Sequence, residues 1–212
     1  MSEPQRIGVY GGTFDPIHIG HLAAAEDARA ALGLDRVLII PAARQPLKHA
    51  AQGAAPEHRL AMARLACADN PAFSVDPIEV ERPPPSYTVD TLRTLGEGLG
   101  PAAELWLILG ADAARDLPRW HRAADIPALA RLAIVGRPGS PLHLPSLEAA
   151  LPGLAGRYRL VDGPHLDISS TELRRRLAAG RPVRYQIPDA VRAYIESRRL
   201  YTDAQLATTA AR

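Results

Sequence analysis

Residues Gly11-Gly12-Thr13-Phe14-Asp15-Pro16-Ile17-His18-Ile19-Gly20-His21 decide how this chain is read. They follow Arg6-Ile7-Gly8-Val9-Tyr10, an apolar run of strand length, and precede Leu22 to Arg29, an alanine-rich run of helical character. The order is strand, glycine turn, two histidines, helix start. The first turn of a helix carries N–H groups with no intrahelical acceptor, and the aligned peptide dipoles place partial positive charge there. This predicts an anion site. Gly11 and Gly12 are expected to let a ligand approach the backbone where a side chain would block it. His18 and His21, three residues apart, are predicted to point to one side, each able to donate a hydrogen bond to a phosphate oxygen. The stretch is neither a Gly-Lys-Ser/Thr phosphate loop nor a Gly-x-Gly-x-x-Gly dinucleotide turn.

Working outward, Leu34 to Ile40 reads as a buried parallel strand ended by Pro41. The loop from Ala42 to Pro56 carries Lys48, on the same rim as the glycine turn, where ligands bind in open α/β sheets. Glu57 to Ala68 reads as a helix with an inner face of Leu60, Ala61, Arg64, Leu65 and Ala68. Phe73 to Val80 reads as a strand that Pro77 assigns to an edge or a bulge. After the stiff connector Arg82 to Tyr87, a helix is expected with Thr88 as N-cap. Leu105 to Leu109 reads as a buried strand followed by a loop, Gly110 to Ala114. A helical stretch follows to about Ala130, then a strand Arg131 to Val135, a helix Ser146 to Leu154, a strand Arg157 to Val161 and a last helix Asp189 to Arg199. The βαβα alternation predicts a parallel sheet with helices on both faces, in one domain over residues 1–201, with 202–212 as a flexible tail.

Ile168-Ser169-Ser170-Thr171-Glu172-Leu173-Arg174 is the second anion signal. Ser169 and Glu172 form a capping-box pattern, so a helix begins here and runs to Gly180. The cap leaves Ser170, Thr171 and Arg174 unexplained, and two further hydroxyls with an arginine one turn on suit a second anion cradle.

Composition narrows the class. The chain has 212 residues, of which 47% are hydrophobic, enough for a substantial core. Its apolar runs are far shorter than a membrane span, and Met1 to Gln5 leads straight into the first strand without a targeting segment. A lone cysteine, Cys67, excludes an internal disulfide and fits a cytoplasmic protein. A net charge of +2 does not suggest a nucleic-acid surface. Of 25 basic residues, 24 are Arg and only Lys48 is Lys. A flexible point charge suits a phosphate that moves during reaction better than a planar fork does.

Thr13-Phe14-Asp15-Pro16-Ile17-His18-Ile19-Gly20-His21 resembles the T-x-x-H-x-G-H signature of the nucleotidyltransferase superfamily, and Ile168 to Arg174 matches its I-S-S-T-x-x-R motif. Within it the chain resembles the bacterial nicotinate mononucleotide adenylyltransferases, from Ile7 to about Tyr201. The resemblance implies a Rossmann-like α/β fold, ATP and nicotinate mononucleotide as substrates, and Mg²⁺ carried on the ATP phosphates without a protein cage. It implies catalytic roles for His18, His21, Lys48 and Arg174. ATP would be bound by Gly11, Gly12, Thr13, Phe14, His18, His21, Ser169, Ser170, Thr171 and Arg174. The mononucleotide would be bound by Asp15, Tyr87, Thr88, Gly110, Asp112, Trp120 and Arg137. Trp120 offers a face for the pyridine ring, main-chain N–H groups near Tyr87 and Thr88 suit its carboxylate, and Asp112 suits ribose hydroxyls. Trp120 as core and Asp112 as a loop cap are the competing structural roles.

One segment departs from the family. Gln45-Pro46-Leu47-Lys48-His49 replaces the common Pro-Pro-His-Lys, and Ala42 and Ala43 stand where an Asn is common. The nearest rivals keep the chemistry and change the acceptor, to nicotinamide mononucleotide or phosphopantetheine, or make the chain a cytidylyltransferase of the same superfamily. A non-catalytic nucleotide-binding regulator is the alternative of a different class, and the pair of histidines argues against it. Oligomeric state is open, a homo-oligomer being compatible with the sequence.

Overall fold

The computed structural model describes residues 4–43, 53–136 and 142–202. Six strands form one sheet: β1 (Gln5–Gly12), β2 (Arg36–Pro41), β3 (Phe73–Val75), β4 (Ala103–Gly110), β5 (Arg131–Val135) and β6 (Tyr158–Val161). Their order is β3-β2-β1-β4-β5-β6 and every pair is parallel. The chain winds outward from β1 in one direction and, after β4, in the other. The order therefore reverses between β1 and β4, which opens a crevice at their carboxyl ends.

The period-2 alternation of strands sorts side chains onto two faces. Val37, Ile39, Trp106, Ile108, Ala133 and Val135 face one core layer. Ile7, Val9, Leu38, Ile40, Leu105, Leu107, Leu132 and Ile134 face the other. The first layer is closed by α1 (Ile19–Leu32), α2 (Pro56–Cys67), α8 (Ser170–Ala178) and α9 (Asp189–Arg198). The second is closed by α4 (Thr88–Leu99), α5 (Ala111–Asp116), α6 (Ile126–Leu129) and α7 (Leu144–Ala150). Gly8 shows how tight the packing is, because a Cβ there would lie 2.9 Å from Ile108 Cδ1 and 3.0 Å from Leu34 Cδ1. No helix among the described residues is long and apolar enough to cross a membrane.

Five local expectations are corrected. The inner face of α2 is Arg59, Met62, Ala63, Ala66 and Cys67, whereas Arg64 and Leu65 are exposed. Alanine all around this helix left its apolar stripe ambiguous, and the buried arginine pointed the reading to the wrong side. Strand β3 stops at Val75, and Ile78–Glu81 is instead a helical turn, α3. There the Asp76 carboxylate accepts the Ile78 N–H at 2.9 Å, an Asx turn that competes with continued strand. The N-cap of α4 is Tyr87, with Thr88 its first helical residue. No loop follows β4, since α5 begins directly at Ala111 with Gly110 as N-cap. The stretch Ser146 to Leu154 is α7 plus a separate 3₁₀ turn, Pro152–Leu154, because Pro152 lacks the N–H that would continue the helix.

Candidate active site

The glycine turn ends β1 at the crevice. Gly12 pairs with Pro41 at the end of β2, and the Gly12 carbonyl accepts the Ala42 N–H at 2.8 Å. Gly12 needs its bareness for a neighbour within the chain: a Cβ would meet the Phe14 ring at 2.8 Å. Phe14 is buried and has φ +49°, a left-handed conformation that a non-glycine residue holds only when its surroundings fix it. Gly11, by contrast, is exposed, and a Cβ there would meet nothing within 4 Å. The expected close ligand approach therefore fits Gly11 better than Gly12.

His18 is the N-cap of α1 and His21 its third residue, and the two form a reciprocal capping box. The His18 main-chain N–H donates to His21 Nδ1 at 3.3 Å. With Nδ1 as acceptor, the proton of neutral His21 sits on Nε2, which becomes its donor. The two rings stack with centroids 3.7 Å apart and 27° between their planes. His21 also sits edge-on to Phe14 at 5.1 Å. Gly20 makes the stack possible, because a Cβ there would lie 3.1 Å from His18 Nδ1. The expectation that both histidines share one side is met. The first-turn amides are less available than expected, since Ile19 N–H donates to the Gln186 carbonyl at 3.0 Å and His21 N–H to the His18 carbonyl at 2.9 Å.

The second motif lies against the first. Ser170 Oγ donates to the Pro16 carbonyl at 3.0 Å, Arg174 Nη1 donates to the Asp15 carbonyl at 2.7 Å, and Ile168 lies next to Gly20. Ser169 caps α8 by accepting the Glu172 N–H at 3.2 Å. Glu172 pairs instead with Arg175 at 2.7 Å, an exposed pair one turn along the helix. The hydroxyls therefore divide: Ser169 caps, Ser170 ties the motifs together, and Thr171 is exposed. The Ser170 hydroxyl proton is directed at the Pro16 carbonyl, which ties the second motif to the first. Arg174 keeps a fifth of its side chain exposed.

Asp15 is held within the protein. It is 7% exposed, and its Oδ1 accepts from Tyr201 Oη at 2.7 Å and from the Ala54 N–H at 2.9 Å. Its Oδ2 lies 3.6 Å from Arg174 Nη1. Gly53 is packed so closely on this carboxylate that a Cβ could not be accommodated. The side chain faces inward because a charge this buried requires partners.

The other mononucleotide candidates lie at the ends of β4 and α4. Tyr87 stacks on His121 with centroids 4.1 Å apart, which brings Ser86-Tyr87-Thr88 beside Trp120-His121. Trp120 is half-buried and packs against the second core layer, so it is part core and part surface. Asp112 is exposed on the first turn of α5 and pairs with Arg115 at 3.1 Å. Gly110 is exposed at the N-cap of the same helix. Lys48 and Arg137 lie outside the described residues, as does 203–212 of the expected tail.

Sequence reasoning missed four residues. Arg59, 4% exposed, donates to the carbonyls of Thr13 (2.7 Å), Ala42 (2.6 Å), Ala43 (2.9 Å) and Ala54 (3.1 Å). Burial holds its guanidinium below the usual arginine range, with Asp15 acting in the opposite direction. Glu79 is buried under the Tyr87 turn and accepts from Thr91 Oγ1 at 2.7 Å, while Arg82 donates to that hydroxyl at 3.0 Å. Tyr201 and His121 complete the set. Only Arg59 left a sequence signal, as one arginine in the stripe 59, 62, 63, 66 of a helix.

The donors gathered at the crevice are imidazole, guanidinium and main-chain N–H groups, which suit phosphate oxygens. Among the described residues no group of three or more His, Cys, Asp or Glu is arranged to hold a metal ion.

Comparison with known proteins agrees. The cytidylyltransferase-like family profile matches residues 9–176. A protein of Roseiflexus sp. (strain RS-1), described as a probable nicotinate-nucleotide adenylyltransferase, is 61% identical over 92% of this chain and 97% of its own. One of the same description from Thermus thermophilus is 50% identical over 92% of this chain and 99% of its own. The Plasmodium falciparum nicotinic acid mononucleotide adenylyltransferase complexed with NaAD shares the fold, with a TM-score of 0.77 at 22% identity over 93% of this chain and 97% of that one. With a full-length match at this identity and the paired motifs in contact, the chain belongs to the nicotinate-nucleotide adenylyltransferases, within the cytidylyltransferase-like family.

Proposed function

We propose that the protein transfers the adenylyl group of ATP to nicotinate mononucleotide, forming deamido-NAD and pyrophosphate. The observation that carries this reading is the stacked His18–His21 pair in the same motif whose Asp15 carbonyl holds Arg174. An oxygen of the mononucleotide phosphate attacks the α-phosphorus, and the bond from that phosphorus to the bridging β-phosphate oxygen breaks. The electron pair leaves with pyrophosphate. A phosphate monoester is already anionic near neutral pH, so no general base is required.

Catalysis then consists of positioning and charge stabilisation. His21 Nε2–H and the His18 ring donate to α- and β-phosphate oxygens as charge moves toward the leaving group. Arg174 and Lys48 hold the β- and γ-phosphates. A divalent ion such as Mg²⁺, carried on the ATP phosphates, would supply charge neutralisation there. Around Tyr87 and Trp120, the stacked rings and the N-terminus of α4 offer an aromatic face and N–H donors to a pyridine carboxylate. Gly110 and Asp112 border the ribose, and Arg137 contributes charge. The reading includes a cytoplasmic setting, supported by the single cysteine being a buried free thiol.

The test follows the label from ATP carrying ³²P at the α-position, incubated with Mg²⁺ and nicotinate mononucleotide. Label in a dinucleotide with unlabelled pyrophosphate is expected. Unchanged ATP, or label left in AMP or ADP with none in a dinucleotide, would overturn the reading.

A further inference from the structure

Asp15 lies in the first motif, yet its carboxylate is enclosed by groups of the protein itself. It is enclosed by the Tyr201 hydroxyl at 2.7 Å, the Ala54 N–H at 2.9 Å, the Gly53 backbone and Arg174 at 3.6 Å. Arg174 is thereby held by one residue twice: Nη1 donates to the Asp15 carbonyl at 2.7 Å and lies beside its carboxylate. Tyr201 is 2% exposed and reaches across 186 positions to make its bond. It follows Leu200 directly beyond α9, whose Val191 and Ile195 anchor it in the first core layer. The hydroxyl is thus fixed by the core, and it fixes which way the carboxylate turns.

We propose that Tyr201 is a positioning residue for the triphosphate: through Asp15 it sets the guanidinium of Arg174 beside the His18–His21 pair. The inference rests on the reading that Arg174 contacts ATP phosphates. Burial next to Asp15 pushes the Tyr201 phenol far above its usual range, so it stays a donor at every working pH. A hydroxyl held this way orients its acceptor as a partner behind a metal ligand orients that ligand, where loss costs about 10- to 100-fold.

The experiment measures MgATP binding by calorimetry without acceptor, and steady-state kinetics with nicotinate mononucleotide, for the full chain and Tyr201→Phe. The variant is expected to bind MgATP about tenfold more weakly and to keep its KM for the mononucleotide within about twofold. In an Arg174→Lys background the same substitution is expected to change MgATP binding no further, which a purely structural tyrosine would not produce. Equal losses in both backgrounds, or unchanged MgATP binding in Tyr201→Phe, would overturn the proposal. If Tyr201→Phe does not fold, Asp15→Asn carries the same comparison with the same expected and contrary results. Failure of the wild type to use nicotinate mononucleotide would remove the acceptor assignment and leave the MgATP contrast to decide this proposal.

Discussion

The His18 and His21 rings are stacked at 3.7 Å, and the main-chain N–H of the first donates to Nδ1 of the second. The pair is one unit: each ring holds the other's place, and the capping box ties both to the start of α1. Replacing either with Ala is expected to lower kcat by about 100- to 1000-fold, the usual cost of removing one transition-state donor. The double variant should fall by less than the product of the two singles. Calorimetry should find MgATP binding within about tenfold of wild type, because Arg174 and the helix termini persist. Parallel loss of binding and turnover would count against a transition-state role.

Gly20 separates activity from stability. It lies in the first turn of α1, where Ala has the better helix propensity by up to about 1 kcal/mol. A Cβ there would press on His18 at 3.1 Å. Gly20→Ala is expected to keep or raise the melting temperature while kcat falls about tenfold, since small misplacements of a catalytic group are costly. Full activity in the variant would show that the His18 ring need not sit where it does.

Arg59 holds four carbonyls from three segments, the glycine turn, the end of β2 and the entry to α2. Arg59→Met is close in length and leaves those acceptors without a donor. Urea denaturation is expected to show a loss of about 3 kcal/mol or more. A loss below about 1 kcal/mol would mean that water replaces the guanidinium.

These polar networks mark where the sequence stopped being legible. The strands announced themselves as apolar runs bounded by Gly and Pro, and α8 by its Ser169 and Glu172 pattern. Local signals need only neighbouring residues. The hub at Asp15 joins residues 54, 174 and 201, and nothing near Asp15 in the chain specifies those partners. Both anion motifs were readable as helix starts, but not that Ser170 Oγ would be directed at Pro16. The face of α2 was hidden because alanine suits either side of a helix. The stack of Tyr87 on His121 was likewise invisible, being a contact across the second layer between segments far apart in the chain.

Glu79 gives the fold a pH signature. Burial pushes its carboxyl up, partly offset by the Thr91 hydrogen bond and by Arg82. A carboxyl whose folded pKa exceeds its unfolded value, about 4.3, stabilises when protonated, and that stability is lost as pH rises through the folded value. Glu79→Gln keeps the acceptor for Thr91 and removes the charge. Relative to wild type it is expected to gain stability as pH rises above the unfolded value of about 4.3, read from urea midpoints at each pH. A difference between the two that does not change with pH would show that Glu79 does not titrate with the fold.

The most direct test of the proposed reaction is pyrophosphate release from MgATP with nicotinate mononucleotide, nicotinamide mononucleotide and phosphopantetheine as parallel acceptors. The fastest turnover is expected with nicotinate mononucleotide, because one carboxylate against one amide is a distinction that a few N–H donors near Tyr87 and Thr88 can make. Turnover with phosphopantetheine and none with either pyridine nucleotide would contradict it.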